Sequence, residues 1–318
     1  MDRLTQNVSH THFILNGFNE LGELRPLLFI PFSVMFLLSL SGNFLLLYVV
    51  VSHRVLHSPM CILIAVMACV DLSLPLFFVP NMLLSFLLDW RGISLTGCLV
   101  QMHCLHFVGA FQSTLLVWMA LDRYFAICTP LCYHKYMALP GFLRFVIPPL
   151  IRNFLLTTLM VNLAGTLSFC LRNVMDHCFC EHMALVQLAC GNTSTNNLVG
   201  LLTAFLIPVV DFIFIAASYV IIFGSVFRSG RSGVKALHTC VTHIVVITVS
   251  LTFALTAFLS YRIRNGLAPA SRVFLSTMYL LFPSCCNPII YGIRTTEIRQ
   301  QILRLLKCPH FVNIVPYS

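Results

Sequence analysis

Charge is what this chain has least of. Asp, Glu, Lys and Arg together make up 9% of its 318 residues, against roughly 25% in an ordinary soluble domain. Hydrophobic residues make up 58%, with a mean hydropathy of +0.91. That balance excludes a water-soluble fold. Also missing are the constellations that carry chemistry. There is no HExxH pair and no Ser/His/Asp set, and the 12 histidines are scattered along the chain, so no enzyme, catalytic residue, metal or cofactor is expected. The chain has no internal repeat, no matched pair of broken apolar segments and no run of polar pore residues, the marks of a transporter or channel. That class is kept only as the alternative. No cleavable leader is expected, because the first apolar run, Leu27 to Val51, carries no charge and is too long for a signal h-region. The net charge of +9 is not gathered into a basic patch interleaved with aromatics, which removes nucleic acid from the candidate partners.

What the chain does have is seven apolar runs: Leu27 to Val51, Pro59 to Leu88, Cys98 to Leu121, Phe145 to Leu171, Leu198 to Phe227, Ala236 to Tyr261 and Val273 to Ile293. Each is close to the ~20 residues that a helix needs to cross a bilayer, the fourth being the weakest by hydropathy. The expected fold is an all-α membrane protein, a seven-transmembrane helix bundle closed by a short amphipathic helix over Thr295 to Lys307. It forms a single domain over 1–318, with N-terminal segment 1–25, bundle 26–293 and tail 294–318.

The loops sort by charge. On one side lie Arg54, Arg123, Lys135, Arg144, Arg228, Arg231, Lys235, Arg294, Arg299, Arg304 and Lys307 against only Asp122 and Glu297. On the other, seven basic residues face six acidic ones. The positive-inside rule then places the N-terminus outside and the C-terminus in the cytoplasm of a multi-pass plasma-membrane protein. Asn7-Val8-Ser9 is a glycosylation sequon on the outer side. Of the 14 cysteines, Cys98, Cys170, Cys178, Cys180 and Cys190 fall at or beyond outer span ends, in an oxidising compartment. They make two bridges and one left-over thiol, with the pairing left open by the spacing. Cys308, after the amphipathic tail, is placed for palmitoylation, with membrane lipid as its partner.

Polar residues inside apolar runs carry the rest of the reading. WMALDRYFAIC, Trp118 to Cys128, sets Asp122, Arg123 and Tyr124 at the cytoplasmic end of span 3, where charge stays near water. It reads either as a helix end facing an aqueous partner or as a snorkelling pair that marks the boundary. Asp71 is isolated in span 2 and is costly unless hydrated, paired or protonated. Arg152 in span 4 and Asp211 in span 5 lie at similar depths and are expected to pair, directly or through water. Pro288 in span 7 removes a backbone donor and kinks the helix, and Asn287 beside it is expected to satisfy the freed groups.

Seven spans, DRY ending the third and Asn287-Pro288-Ile289-Ile290-Tyr291 ending the seventh, resemble the rhodopsin-like G-protein-coupled receptors. Gly42-Asn43, LHSPM at Leu56 to Met60, MALDRYFAIC at Met119 to Cys128, Ser218-Tyr219, KALHTCVTH at Lys235 to His243 and PSCCNPIIYGIR at Pro283 to Arg294 narrow the resemblance to the odorant receptors. The loop with Cys170, Cys180-Glu181-His182 and Cys190 looks like their class I branch. The resemblance implies disulfides Cys98 to Cys180 and Cys170 to Cys190, leaving Cys178 as the odd thiol. It implies a heterotrimeric G protein of the stimulatory, olfactory type as partner, with Asp122, Arg123, Tyr124, Tyr219, Lys235, Asn287, Pro288 and Tyr291 as the coupling switch. It further implies a small volatile or water-soluble odorant as ligand.

The ligand site is expected between the outer halves of spans 3, 5, 6 and 7, where an apolar cleft with few polar groups suits small molecules. His103, His106, His182, Phe258, Tyr261, Arg262 and Met278 are the candidates. Arg262 at its mouth is suited to a short carboxylic acid held through two parallel hydrogen bonds, or alternatively snorkels beside Arg264 and Arg272. Each lone His also fits a satisfied polar residue. Gln112 stands where relatives commonly carry a Glu, so Asp71 is expected in a polar network rather than a sodium site. Leu251 stands where relatives carry Tyr, and Phe253 where many class I chains have Pro. The last apolar run contains no Lys for a retinal Schiff base, and the outer half of span 3 has Leu105 but no Asp to meet an amine.

Overall fold

In hydrocarbon, every backbone N–H and C=O must find its partner inside the protein, and the apolar runs meet that demand as helices. They are α1 (Phe29–Ser52), α2 (Pro59–Leu87), α3 (Leu95–Cys128), α4 (Leu139–Gly165), α5 (Ser194–Arg228), α6 (Val234–Arg262) and α7 (Pro269–Arg294), followed by the short α8 (Thr296–Lys307). The computed structural model describes residues 9–170, 172–228, 234–262 and 268–307, with the side chains at 139, 234–240, 242–243, 261–262 and 306–307 left out. Asn7, Arg264 and Cys308 therefore lie outside the described residues, as do the side chains of Lys235, Tyr261 and Arg262. Among the described residues, six helices are long and apolar enough to cross a membrane, and α6 carries a shorter apolar stretch, Ile244–Ser260.

Helices α3 and α4 depart furthest from the hydropathy pattern, and their ends do so for local reasons. α3 begins at Leu95, where the Ser94 hydroxyl accepts the Gly97 N–H at 3.1 Å, and runs past Leu121 to Cys128, stopping before Thr129-Pro130. Asp122 and Arg123 consequently sit inside the last turns of a helix, not at its end, and Asp122 is buried. α4 stops at Gly165 instead of reaching Leu171, because the chain then runs extended toward the Cys170–Cys190 disulfide, with a bridge between Ser168 and Cys190.

Beyond the helices, the bundle carries a small sheet that hydropathy did not indicate. β1 (His12–Leu15) lies between β2 (Gly92–Ser94), to which it is antiparallel, and β3 (Val174–Met175), to which it is parallel. Its two-residue alternation turns Phe13 and Leu15 inward onto Phe169, Met175 and Leu185 and leaves His12 and Ile14 exposed. The sheet ties the N-terminal segment to both loops at that end. Arg25 adds a second tie, donating to the Gly17 carbonyl at 3.0 Å and to the Ser85 carbonyl at 2.8 Å.

At Gly17 an added Cβ would sit 2.7 Å from the Cys178 backbone nitrogen and 2.9 Å from the His177 carbonyl carbon. Neither backbone atom can swing away. Gly17→Ala is therefore expected to destabilise this cap by about 1–3 kcal/mol, read as a lower melting temperature of the detergent-solubilised protein, and an unchanged melting temperature would contradict the packing described.

α3 touches α2, α4, α5 and α6, while α7 packs on α1, α2 and α6. The α1–α7 contact explains the Gly42-Asn43 pair. A Cβ on Gly42 would lie 3.0 Å from Pro288 Cγ, so only glycine admits the proline ring this closely. Pro288 has no N–H for the Ser284 carbonyl one turn back, and Asn43 Nδ2 donates to that carbonyl at 2.8 Å. The freed group is thus served from α1, not by Asn287, whose amide is turned to Asp71.

Candidate functional site

The end of the bundle capped by the sheet is tied by two disulfides, Cys98–Cys180 and Cys170–Cys190. Cys178 is a buried thiol beside Gly17, and burial pushes it up to about 12, so it stays protonated and inert. Burial likewise pushes neighbouring His177 down to about 3, which keeps it neutral. The Cys98–Cys180 link carries Glu181 and His182 over the mouth of the bundle, where the Glu181 carboxylate accepts the Ala184 N–H at 2.7 Å and caps a short helix, His182–Val186.

Beneath this lid is a cavity. His106, Gly109 and Ser113 line it from one face of α3, spaced as helical neighbours are. Gly200, Thr203 and Pro208 line it from α5, Ala254 and Phe258 from α6, Tyr279 from α7, and Glu181 and His182 from the lid. Gly200 is where the lid meets α5, since any Cβ there would run into the His182 imidazole. The Thr203 hydroxyl is buried and has no hydrogen-bond partner among the described residues. A side pocket opens past Phe258 and Tyr279 toward Phe179 and Leu280.

Of the candidates read from sequence, His106, His182 and Phe258 come together here. His103 does not. Its Nε2 lies 3.1 Å from the Thr158 hydroxyl and its ring stacks on Phe107 and meets Phe154, so it faces α4. Met278 is buried in the helix core rather than on the cavity wall. The residues that sequence chemistry does not single out are Gly109, Ser113, Thr203, Ala254, Tyr279 and Glu181. The three-to-four-residue spacing from His106 along α3 and from Phe258 back along α6 would have pointed to the first, second and fourth.

Below the cavity, two polar clusters cross the bundle. Arg152 Nη2 stands 2.7 Å from Asp211 Oδ1, while Asp211 Oδ2 accepts from Ser113 at 2.9 Å and Thr114 at 3.2 Å. Asn153 closes the set, donating to Thr114 at 3.0 Å. Asp71 accepts from Gln112 at 2.6 Å and from Asn287 at 2.9 Å, joining α2, α3 and α7.

At the far end of α3, Asp122 accepts the Tyr133 hydroxyl at 2.8 Å and meets the Arg123 guanidinium loosely, at 3.7 Å. Burial and the facing Asp122 push the Tyr133 phenol above its ordinary range, so it remains a donor. Tyr124 packs edge-on against Phe125, and Tyr219 is buried beside Phe223. The buried Tyr291 hydroxyl points at Met119 Sδ, 3.6 Å away.

Residues 32–308 match the family described as Olfactory receptor. Human olfactory receptor 52K1 is 37% identical, covering 96% of this chain and 98% of its own. Human olfactory receptor 52D1 is 38% identical with 94% and 96% covered, and human olfactory receptor 51E2 is 34% identical with 95% of each. The crystal structure of squid rhodopsin superposes with a TM-score of 0.68 at 19% identity, over 91% of this chain and 88% of that one, and so shares its fold. The kinship with olfactory receptors contradicts the transporter or channel alternative. A lidded cavity, helices fit to cross a membrane and kinship over nearly its whole length place this chain in the olfactory receptor family, whose members are receptors and not enzymes.

Proposed function

We propose that this receptor binds a small odorant in the cavity beneath Glu181 and His182 and, in response, activates a stimulatory, olfactory-type G protein at the Asp122 end. The observation that carries the reading is that one continuous helix, α3, lines the cavity with His106, Gly109 and Ser113 and ends in the Asp122–Arg123–Tyr124 cluster. The chain acts as a single unit with its N-terminus outside, Asn7 glycosylated, and its tail in the cytoplasm, where Cys308 is palmitoylated beside the bilayer. An odorant that binds the active arrangement more tightly shifts the bundle toward it. Arg123, held loosely by Asp122, then exchanges that partner for polar groups such as the Tyr219 and Tyr291 hydroxyls, while α6, with Lys235 at its inner end, swings out to admit the G protein's C-terminal helix. A planar guanidinium that stays charged suits such an exchange. Asn287 and Gln112 hold Asp71 in a polar network that the Pro288 hinge bends around.

The odorant carries a carboxylate, which Arg262 takes at the mouth through paired hydrogen bonds. His106, His182 and the unserved Thr203 hydroxyl are the other polar contacts, and Phe258 and Tyr261 contribute apolar area. The test is odorant-evoked cyclic AMP in cells supplied with the olfactory-type G protein. Charge-assisted hydrogen bonds contribute ~1.5–3 kcal/mol, so Arg262→Ala is expected to raise the half-maximal concentration for carboxylic acids by about tenfold or more. Acids that keep their potency on that variant would remove Arg262 from the ligand site, and no response to any odorant would remove the receptor mechanism itself.

A further inference from the structure

Ser113 stands on the face of α3 where the odorant cavity passes into a lower chamber, and it lines both. The residue is half-buried, and its hydroxyl donates to Asp211 Oδ2 at 2.9 Å. That carboxylate is ion-paired with Arg152 at 2.7 Å and has no proton to return. A serine hydroxyl carries one proton and two lone pairs. With the proton committed to Asp211, Ser113 turns only lone pairs to the void.

The proton is not free to swing round. Among the described residues, Asp211 Oδ2 has one other donor, Thr114 at 3.2 Å, and Thr114 has the Ala110 carbonyl at 3.1 Å as a competing acceptor. Turning Ser113 away would leave a buried carboxylate oxygen short of donors, which is expensive. About two turns nearer the lid, His106 repeats the arrangement. Its Nδ1 lies 2.9 Å from the Met102 carbonyl, which only accepts, so this nitrogen carries the hydrogen and the neutral ring keeps Nε2 as an acceptor. The Thr203, Tyr279 and Ser250 hydroxyls that share these walls rotate to serve either kind of guest, so they do not discriminate.

We propose that Ser113, fixed as an acceptor by Asp211, selects odorants that bring a hydrogen-bond donor to the cavity floor, so that the receptor takes hydroxy acids in preference to keto acids of the same skeleton. The inference rests on the reading that the odorant occupies this cavity, and the carboxylate at its mouth is a separate part of that reading. A guest hydroxyl donates to Ser113, which donates to Asp211, and each bond in such a chain polarises the next. A ketone sets its own lone pairs against those of Ser113 and keeps out the water that would otherwise serve them. The loss of one net hydrogen bond is expected to weaken binding about three- to tenfold.

The test uses the purified full-length receptor without G protein and reads the affinity of each probe from the concentration dependence of the melting temperature. 7-Hydroxyoctanoic acid is expected to stabilise the receptor at about three- to tenfold lower concentration than 7-oxooctanoic acid. Ser113→Ala is expected to erase that gap, and Ser113→Thr, which keeps a hydroxyl beside Asp211, is expected to retain it. A keto acid that binds wild type as tightly as the hydroxy acid, or a gap that survives Ser113→Ala, overturns the proposal. A gap lost in Ser113→Thr as well assigns the preference to cavity shape and overturns it too. Should neither acid bind while 2-octanol binds more tightly than 2-octanone, the donor preference stands and carboxylate recognition falls. No binding by any of the four probes overturns both. Where Ser113→Ala cannot be purified, Ser113→Cys takes its place, because a thiol is a weak acceptor and is expected to shrink the gap.

Discussion

Asp211→Ala is expected to cut the amount of folded receptor at the cell surface by tenfold or more. The substitution removes the carboxylate that pairs with Arg152 at 2.7 Å and leaves the guanidinium inside the bundle with Asn153 as its remaining hydrogen-bond partner. It also strips Ser113 and Thr114 of a shared acceptor. Breaking a buried pair by deleting one partner costs about 3–5 kcal/mol, a large part of the roughly 5–15 kcal/mol that separates folded from unfolded domains. The Arg152 side chain retains 23% exposure against 3% for Asp211, which puts the cost at the lower end of that range. Removing both charges together is a different matter, because no unpaired ion remains and the two apolar replacements pack. The double variant Arg152→Met/Asp211→Leu is therefore expected to recover most of the surface signal, measured by flow cytometry of an N-terminal tag. A single variant as abundant as wild type, or a double variant no better than the single, would contradict the pairing as a structural element.

Cys98→Ser is expected to be nearly as damaging, and more so than Cys170→Ser. Cys98 and Cys180 are separated by 82 residues, Cys170 and Cys190 by 20. Loss of a native disulfide costs about 2–5 kcal/mol, and in the chain-entropy account the longer loop costs about 1 kcal/mol more. The difference is also functional. The Cys98–Cys180 link sets Glu181 and His182 over the cavity, whereas Cys170–Cys190 closes the loop on itself. Cys98→Ser should cut both surface expression and odorant response severalfold, approaching the loss in Asp211→Ala, while Cys170→Ser should leave a larger response of reduced amplitude. The reverse order in a surface-labelling assay would show that the lid is held from the other side.

The helices were legible because a bilayer leaves so few solutions for the backbone. Apolar runs of the right length become helices whatever their detailed sequence, and the expensive charges within them find partners, as Arg152 does with Asp211. Helix ends were less legible. Hydropathy marks where lipid ends, not where hydrogen bonding ends, so α3 runs on to Cys128 and draws Asp122 into the protein. The sheet was not legible at all, since β1 is four residues long and depends on partners at Gly92–Ser94 and Val174–Met175. Around the cavity, side-chain chemistry picks out His106 and His182, which line it, and equally His103, whose rotation about α3 sends it to Thr158. The unnoticed residues were mostly small ones. Gly109 and Ala254 shape the cavity by what they lack, which no list of polar candidates captures.

Orientation is what the functional reading depends on throughout: the disulfide-tied cavity must open to the outside and the Asp122 end must face the cytoplasm. One tag before Asn7 and another after Lys307, stained in intact and then permeabilised cells, measure this directly. The expected result is that the first tag stains intact cells and the second appears only after permeabilisation. Both tags on one face of the membrane, or the second alone on intact cells, would contradict it.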